Sequence, residues 1–209
     1  MTVWILYIIK ADFVIIGKEL YIFMLIAVLN CGTSSLKIAY RVEEAGASYR
    51  IYESDVTHEE LMSDGVSGII ISGSADSVYD EDVCAKCDPA IFDLGIPVLG
   101  ICYGMQVEAH YLGGEVIKAE QSEFGDTMLY VTQDHPIMSA VSGDISMSHN
   151  DRVTVLPRGF TAVGKTDITP IAAMVNDERK IYGVQFHPER NESTIRIITW
   201  FVDLCKLEE

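Results

Sequence analysis

From residue 24 onward, short apolar runs alternate with amphipathic stretches, and no other feature of the chain limits its fold as much. LIAVLN (25–30) predicts a strand, and SLKIAYRVEEAG after it predicts a helix stopped by Gly46. SYRIYES (48–54) reads as a second strand. THEELMSDG (57–65) reads as a short helix capped by Thr57, with Glu60 three residues on to complete a capping box. VSGIIIS (66–72) and IPVLGI (96–101) suit buried strands, with AKCDPAIFDLG (85–95) a candidate helix between them. YGMQVEAHYLGG then predicts a helix stopped by Gly113 and Gly114. Such strand–helix–strand alternation predicts an α/β fold, a mostly parallel central sheet with helices on both faces. The later half carries EVIKA, MLYVT, ISMS, RVTVL, TAVGKT, IAAMV and KIYGVQF, short strands divided by turn signals. They predict a smaller antiparallel or mixed sheet, and STIRIITWFVDLC predicts a closing helix.

A chain of 209 residues holds one substantial core rather than two, and no repeat or linker-like stretch divides it. Residues 24–209 are therefore read as one domain. Residues 1–23 are apolar enough to suggest a signal peptide or membrane span, but Lys10, Asp12, Lys18 and Glu19 interrupt them. No small-residue cleavage site follows either. They read as an N-terminal extension outside the catalytic domain, with an extra strand or helix packed on that domain as the alternative. Fifteen Lys and Arg against 31 Asp and Glu give a formal charge of −16. So acidic a surface repels phosphate backbones, which argues against a nucleic-acid partner and leaves a solvated surface or a basic protein partner. An odd count of five cysteines does not suggest a disulfide framework, and Cys84-x-x-Cys87 lacks the second ligand pair that zinc needs. No metal is expected, and a reducing, cytoplasmic setting fits.

Chemistry concentrates at two places. Gly100-Ile101-Cys102-Tyr103-Gly104 lies between a strand and a helix, the layout of a nucleophile elbow. Its glycines relieve crowding about a strained backbone, and the start of the helix is expected to favour the thiolate. A buried structural cysteine is the plain alternative. Gly183-Val184-Gln185-Phe186-His187-Pro188-Glu189 ends another strand, and an extended backbone would turn His187 and Glu189 to one face. A carboxylate so placed fixes the tautomer of an imidazole that exchanges a proton with Cys102. His58, His110 and His135 carry no such partner in sequence and read as surface or core histidines.

Together GICYGMQ and GVQFHPE resemble the signature pair of the class I glutamine amidotransferases, over about residues 24–205. The resemblance implies that Cys102 attacks the side-chain amide of glutamine, with His187 and Glu189 completing a triad. It implies oxyanion donors from the backbone of Tyr103 and of the loop at Gly73 and Ser74. Family members usually carry two glycines and a proline in that loop, where this chain has Gly73-Ser74-Ala75. Gln106 resembles the glutamine-binding residue of the G-x-Q segment. Ser148, His149 and Asp151 resemble the S-H-x-D segment that meets the amino-acid end of the substrate, and the same segment reads as a polar turn between strands. Within the family, Met147–Asp151, Ser77-Val78-Tyr79 and Ser122-Glu123-Phe124-Gly125 are similar to segments of the glutaminase subunits of two-subunit GMP synthases. That resemblance implies an ATP pyrophosphatase partner that binds ATP and magnesium, because no S-G-G-x-D-S segment occurs here. No cofactor is expected on this chain, and no membrane. Glutaminases of the anthranilate or aminodeoxychorismate type and a stand-alone γ-glutamyl hydrolase are the other readings, and a non-catalytic binding subunit is disfavoured by the intact triad.

Overall fold

The computed structural model describes residues 13–16, 19–22, 24–80, 87–141 and 143–206. Within the N-terminal 23 residues, β1 (Phe13–Ile16) and β2 (Glu19–Ile22) form an antiparallel two-stranded sheet of their own. The rest of that stretch lies outside the described residues.

The strands and helices then follow in the order read from the sequence. They are β3 (Leu25–Asn30), α1 (Ser35–Glu44), β4 (Ser48–Glu53), α2 (His58–Ser63) and β5 (Val66–Ile71). Next come β6 (Val98–Ile101) and α3 (Tyr103–Tyr111). The helix expected at 85–95 is instead a 3₁₀ turn, Pro89–Asp93, and residues 81–86, with Cys84, lie outside the described residues. Pro89 starts that turn, the Asp88 carboxylate caps it by accepting from Ala90 N–H at 2.9 Å, and Gly95 at φ +74° follows it. Beyond α3 run β7 (Glu115–Thr127), β8 (Tyr130–Val131), α4 (Pro136–Ser139) and β9 (Ile145–Val155). β10 (Thr161–Lys165), β11 (Ala173–Asn176), β12 (Ile181–Val184) and α5 (Arg196–Lys206) complete the chain.

Eight strands form the main sheet in the order β4-β3-β5-β6-β12-β11-β10-β8. Pairing from β4 to β12 is parallel, and from β12 outward it is antiparallel. The antiparallel strands thus extend the parallel sheet, while the separate smaller sheet is the β7–β9 ribbon. Successive residues of a strand face opposite sides, and β3 shows the result. Ile26 and Val28 enter the core under α1 and α5, whereas Ala27 and Leu29 enter the core under α3. On α5, Ile197, Ile198, Phe201, Val202 and Cys205 are all buried, a single face at helical spacing.

The predicted capping box of α2 is present. Glu60 N–H donates to Thr57 Oγ1 at 3.3 Å, and Thr57 N–H donates to Glu60 Oε2 at 3.1 Å. Losing such a cap costs about 1 kcal/mol. Thr57→Ala should therefore lower the thermal midpoint by about 2–4 °C, readable by calorimetry. An unchanged midpoint would mean that the short helix frays independently of the domain.

Candidate active site

β6 ends at Ile101 and α3 begins at Tyr103, so Cys102 alone makes the turn. Its φ of 55° and ψ of −105° lie where an L-residue is strained. Cys102 N–H donates to the Val184 carbonyl at 2.8 Å, and Gln106 N–H donates to the Cys102 carbonyl at 3.3 Å. The flanking glycines permit this geometry. A Cβ at Gly100 would stand 2.5 Å from Met105 N, and one at Gly104 would run into the Ile71 carbonyl. Backbone cannot step aside as a side chain can, so α3 approaches the sheet this closely only over glycine.

The second half of the site departs from expectation in how it is built. β12 stops at Val184, and His187 precedes a 3₁₀ turn, Pro188–Arg190, rather than sitting on extended backbone with Glu189. Pro188 has the fixed φ that suits the first position of such a turn. The contact is made all the same. His187 Nδ1 stands 2.9 Å from Glu189 Oε1, both side chains almost wholly buried. Burial opposes ionisation of Glu189, but the hydrogen bond and charge of His187 outweigh it and hold the carboxyl below the usual carboxylate range. A carboxylate there keeps the proton on Nδ1, which leaves Nε2 free to take another.

The thiol is the main electrostatic correction. Burial pushes Cys102 up to about 12, with the Tyr103 N–H pulling the other way. The helix start does not win, because desolvation of a thiolate outweighs a dipole at this depth. At neutral pH the resting group is S–H, and it donates to the Ser148 carbonyl at 3.7 Å while Gln185 Nε2 donates to it at 3.6 Å.

Cys102 and His187 both open onto a cavity of about 790 Å³. Ser74, Gln106, Ser148, His149 and Asp151 also line it, so the two motifs and the proposed substrate contacts share one space. Gly73 lies behind the wall: a Cβ there would come 3.1 Å from His187 Cε1 and 3.8 Å from Cys102 Cβ. Tyr103 offers its backbone N–H beside the sulfur. Ser148–Asp151 is not a turn, however. It sits inside the continuous strand β9, which joins the two short strands expected there, just as β7 runs on through Thr127.

Three segments meet on that strand. The Ser77 hydroxyl donates to Asp151 Oδ2, and the Tyr79 hydroxyl donates to Asp151 Oδ1 at 2.9 Å. Ser122 Oγ donates to Asn150 Oδ1 at 2.8 Å, and Glu123 is the cross-strand neighbour of His149. Sequence reasoning assigns no side-chain work to Ser77, Tyr79, Glu123 or Gln185. Gln185 lies within GVQFHPE, but its hydrogen bonds to Cys102 and Gln106 depend on strand register that a sequence does not show.

The sequence pattern of a family described as "Glutamine amidotransferase class-I" matches residues 27–202. A protein of Alteromonas mediterranea described as glutamine-hydrolysing GMP synthase is 38% identical over 198 residues, covering 88% of this chain and 38% of that protein. Its counterpart by description in Thermosynechococcus vestitus is 44% identical over 190 residues, covering 88% of this chain and 35% of that one. The chain thus spans little more than a third of these curated relatives. A crystal structure from Thermoplasma acidophilum, provisionally described as one subunit of a GMP synthase, is similar with a TM-score of 0.78 and 30% identity. That likeness covers 90% of this chain and 96% of that one. A glutamine amidotransferase structure from Thermotoga maritima, at 21% identity and a TM-score of 0.64, shares the fold.

Proposed function

The chain belongs to the class I glutamine amidotransferase family, and from that premise we propose that it is the glutaminase component of a GMP synthase, releasing ammonia from glutamine for a separate ATP pyrophosphatase subunit that converts XMP to GMP. The buried His187–Glu189 pair, opening on the same cavity as a cysteine perched at positive φ, carries this reading. The likeness to the Thermoplasma acidophilum protein, itself described as one subunit of a GMP synthase, supports the GMP synthase assignment. The segments around Ser77, Glu123 and His149, which set the GMP synthase resemblance apart, are in mutual contact at the cavity wall.

In the proposed reaction Cys102 Sγ attacks the amide carbon of glutamine as its proton passes to His187 Nε2. The oxyanion forms beside the Tyr103 N–H and the backbone of Gly73 and Ser74. His187 gives the proton to the departing nitrogen, which leaves as ammonia, and the glutamyl group stays on Cys102 Sγ as a thioester. Water then attacks the thioester with His187 as base, and glutamate leaves as the proton returns to sulfur. Glu189 holds the imidazole in the required tautomer throughout. Asp151, steered by Ser77 and Tyr79, offers a counter-charge to the substrate ammonium, while Lys118 and Arg190 at the cavity edge offer one to its carboxylate. None of these steps calls on a cofactor of this chain, and ATP and magnesium are expected on the partner. The buried free cysteines at 31, 87 and 102 suit a reducing cytoplasm.

Ammonia and glutamate release by the purified chain should rise severalfold when a GMP synthase ATP pyrophosphatase subunit, ATP, magnesium and XMP are added. Release indifferent to that partner would keep the glutaminase and remove the GMP assignment. Preference for γ-glutamyl dipeptides over glutamine would favour a stand-alone hydrolase.

A further inference from the structure

Glu123 does not line the cavity, yet its carboxylate ends a continuous run of buried polar contacts that reaches the nucleophile. Glu123 and His149 are paired across the β7–β9 ribbon, with their side chains 7% and 2% exposed. Thr169 Oγ1 donates to Glu123 Oε2 at 2.5 Å, and His149 Nε2 stands 3.4 Å from the same oxygen. On its other side, His149 Nδ1 lies 2.9 Å from the Asp151 carbonyl. A carbonyl only accepts, so Nδ1 carries a proton. The same carbonyl accepts from Gln106 Nε2 at 3.0 Å. Gln106 Nε2 also donates to Gln185 Oε1 at 3.2 Å, and Gln185 Nε2 reaches Cys102 Sγ.

The protons can be counted along this run. The Thr169 hydroxyl spends its proton on Glu123, and His149 Nδ1 spends its proton on Asp151. Thr169 Oγ1 also lies 3.5 Å from His149 Nε2, so Glu123, Thr169 and His149 close a buried polar triangle at that nitrogen. Held so, the imidazole is fixed at both nitrogens, and the Asp151 carbonyl on which Gln106 rests is fixed with it.

Resting on the glutaminase reading above, we propose that Glu123 is a positioning residue for glutamine: acting through His149, it sets the wall of β9 and Gln106 that receives the amino-acid end of the substrate. It touches neither the substrate nor the thiol, and the His187–Glu189 pair stands without it.

The test is steady-state glutaminase kinetics of the chain with its synthetase partner, for wild type, Glu123→Ala, Glu123→Gln and Thr169→Val. Glu123→Ala should raise KM for glutamine by about tenfold or more, with kcat within about threefold of wild type. Glu123→Gln should restore KM to within about threefold, because its amide NH2, placed where Oε2 stands, donates one N–H to His149 Nε2 and the other to the Thr169 hydroxyl oxygen. Thr169→Val, nearly isosteric, should shift KM in the same direction as Glu123→Ala by a few fold, and it keeps the test open should the alanine variant not fold. Loss of folded protein lowers the active concentration and so the apparent kcat, not KM, which separates positioning from mere destabilisation. Wild-type KM in both Glu123→Ala and Thr169→Val, or a fall confined to kcat, would overturn the proposal while leaving the glutaminase intact. No ammonia release by the wild type with its partner would instead remove the glutaminase reading, and this proposal with it.

Discussion

Cys102→Ala is expected to abolish glutamine hydrolysis, a loss on the order of 10⁴-fold or more, while the domain stays folded and still binds glutamine. The expectation rests on what else the cavity holds. Ser74 and Ser148 also line it, but neither sits on the strained turn between β6 and α3 that places Cys102 beside His187. Alanine accepts the same backbone with the same strain, and the elbow's hydrogen bonds at Cys102 N–H and carbonyl do not involve the sulfur. The protonated state of the thiol adds a second observable. With the sulfur pushed up to about 12 by burial, alkylation of the free chain by iodoacetamide should be slow at pH 7. It should quicken roughly tenfold for each pH unit, because the thiolate is the reacting form. Ammonia release, calorimetric glutamine binding and mass spectrometry of the alkylated peptide check these points. Residual turnover above about one percent of wild type would be too much for a site without its nucleophile and would move that role elsewhere.

The parts of this molecule that the sequence displays are those that local chemistry decides. Apolar runs such as VSGIIIS have only a buried strand to become, and Gly100-Ile101-Cys102-Tyr103-Gly104 between strand and helix has only a tight turn, so both are found as expected. The box at Thr57 and Glu60 is equally local. What stays hidden depends on partners far along the chain. Nothing near Glu123 indicates that it will face His149, since their pairing follows a register shift in β7 between Lys118 and Glu123. A polar run such as Ser148–Asp151 resembles a turn until Ser77, Tyr79 and Ser122 are seen to supply its side-chain partners within a strand. His187 and Glu189 meet as predicted but through a turn, because Pro188 begins a 3₁₀ helix instead of merely ending a strand. The thiol departs from expectation for a related reason. A helix start is visible in sequence, but the burial that overrides it is a property of the assembled fold.

Glu108 is the most exposed weakness of that assembled fold, and replacing it should stabilise the protein. It lies on α3 with no accessible surface, and neither carboxyl oxygen has a hydrogen-bond partner among the described residues. The group fills space that side chains on two neighbouring strands would need. A Cβ at Gly100 would stand 2.7 Å from its Cδ, and one at Gly183 would stand 2.6 Å from its Oε2. Burial holds this carboxyl well above the usual range, with only a weak opposing pull from the Gly100 amide, which is too poorly placed for a full hydrogen bond. In the folded chain the acid therefore keeps its proton to higher pH than in the unfolded chain, where it ionises near its ordinary value. The unfolded state then binds fewer protons, so stability is lost as pH rises above about 4.5 and continues to fall until the folded-state value is passed. Glu108→Met, similar in volume and without polar atoms, should raise stability at pH 7 by about 1–3 kcal/mol. For a chain of this size that is on the order of 2–10 °C in thermal midpoint. Its advantage should shrink towards pH 4.5 and widen as pH is raised from there, while Glu108→Gln should lose the same pH slope but keep part of the polar burden. Midpoints of the three proteins across that range decide the matter, and parallel curves would mean that the carboxyl is ionised or hydrated inside the fold. The site has a stake in the answer. Gly100 and Gly183 belong to the strands that lead to Cys102 and His187, so a charge forced onto Glu108 at alkaline pH would press on both halves of the site at once.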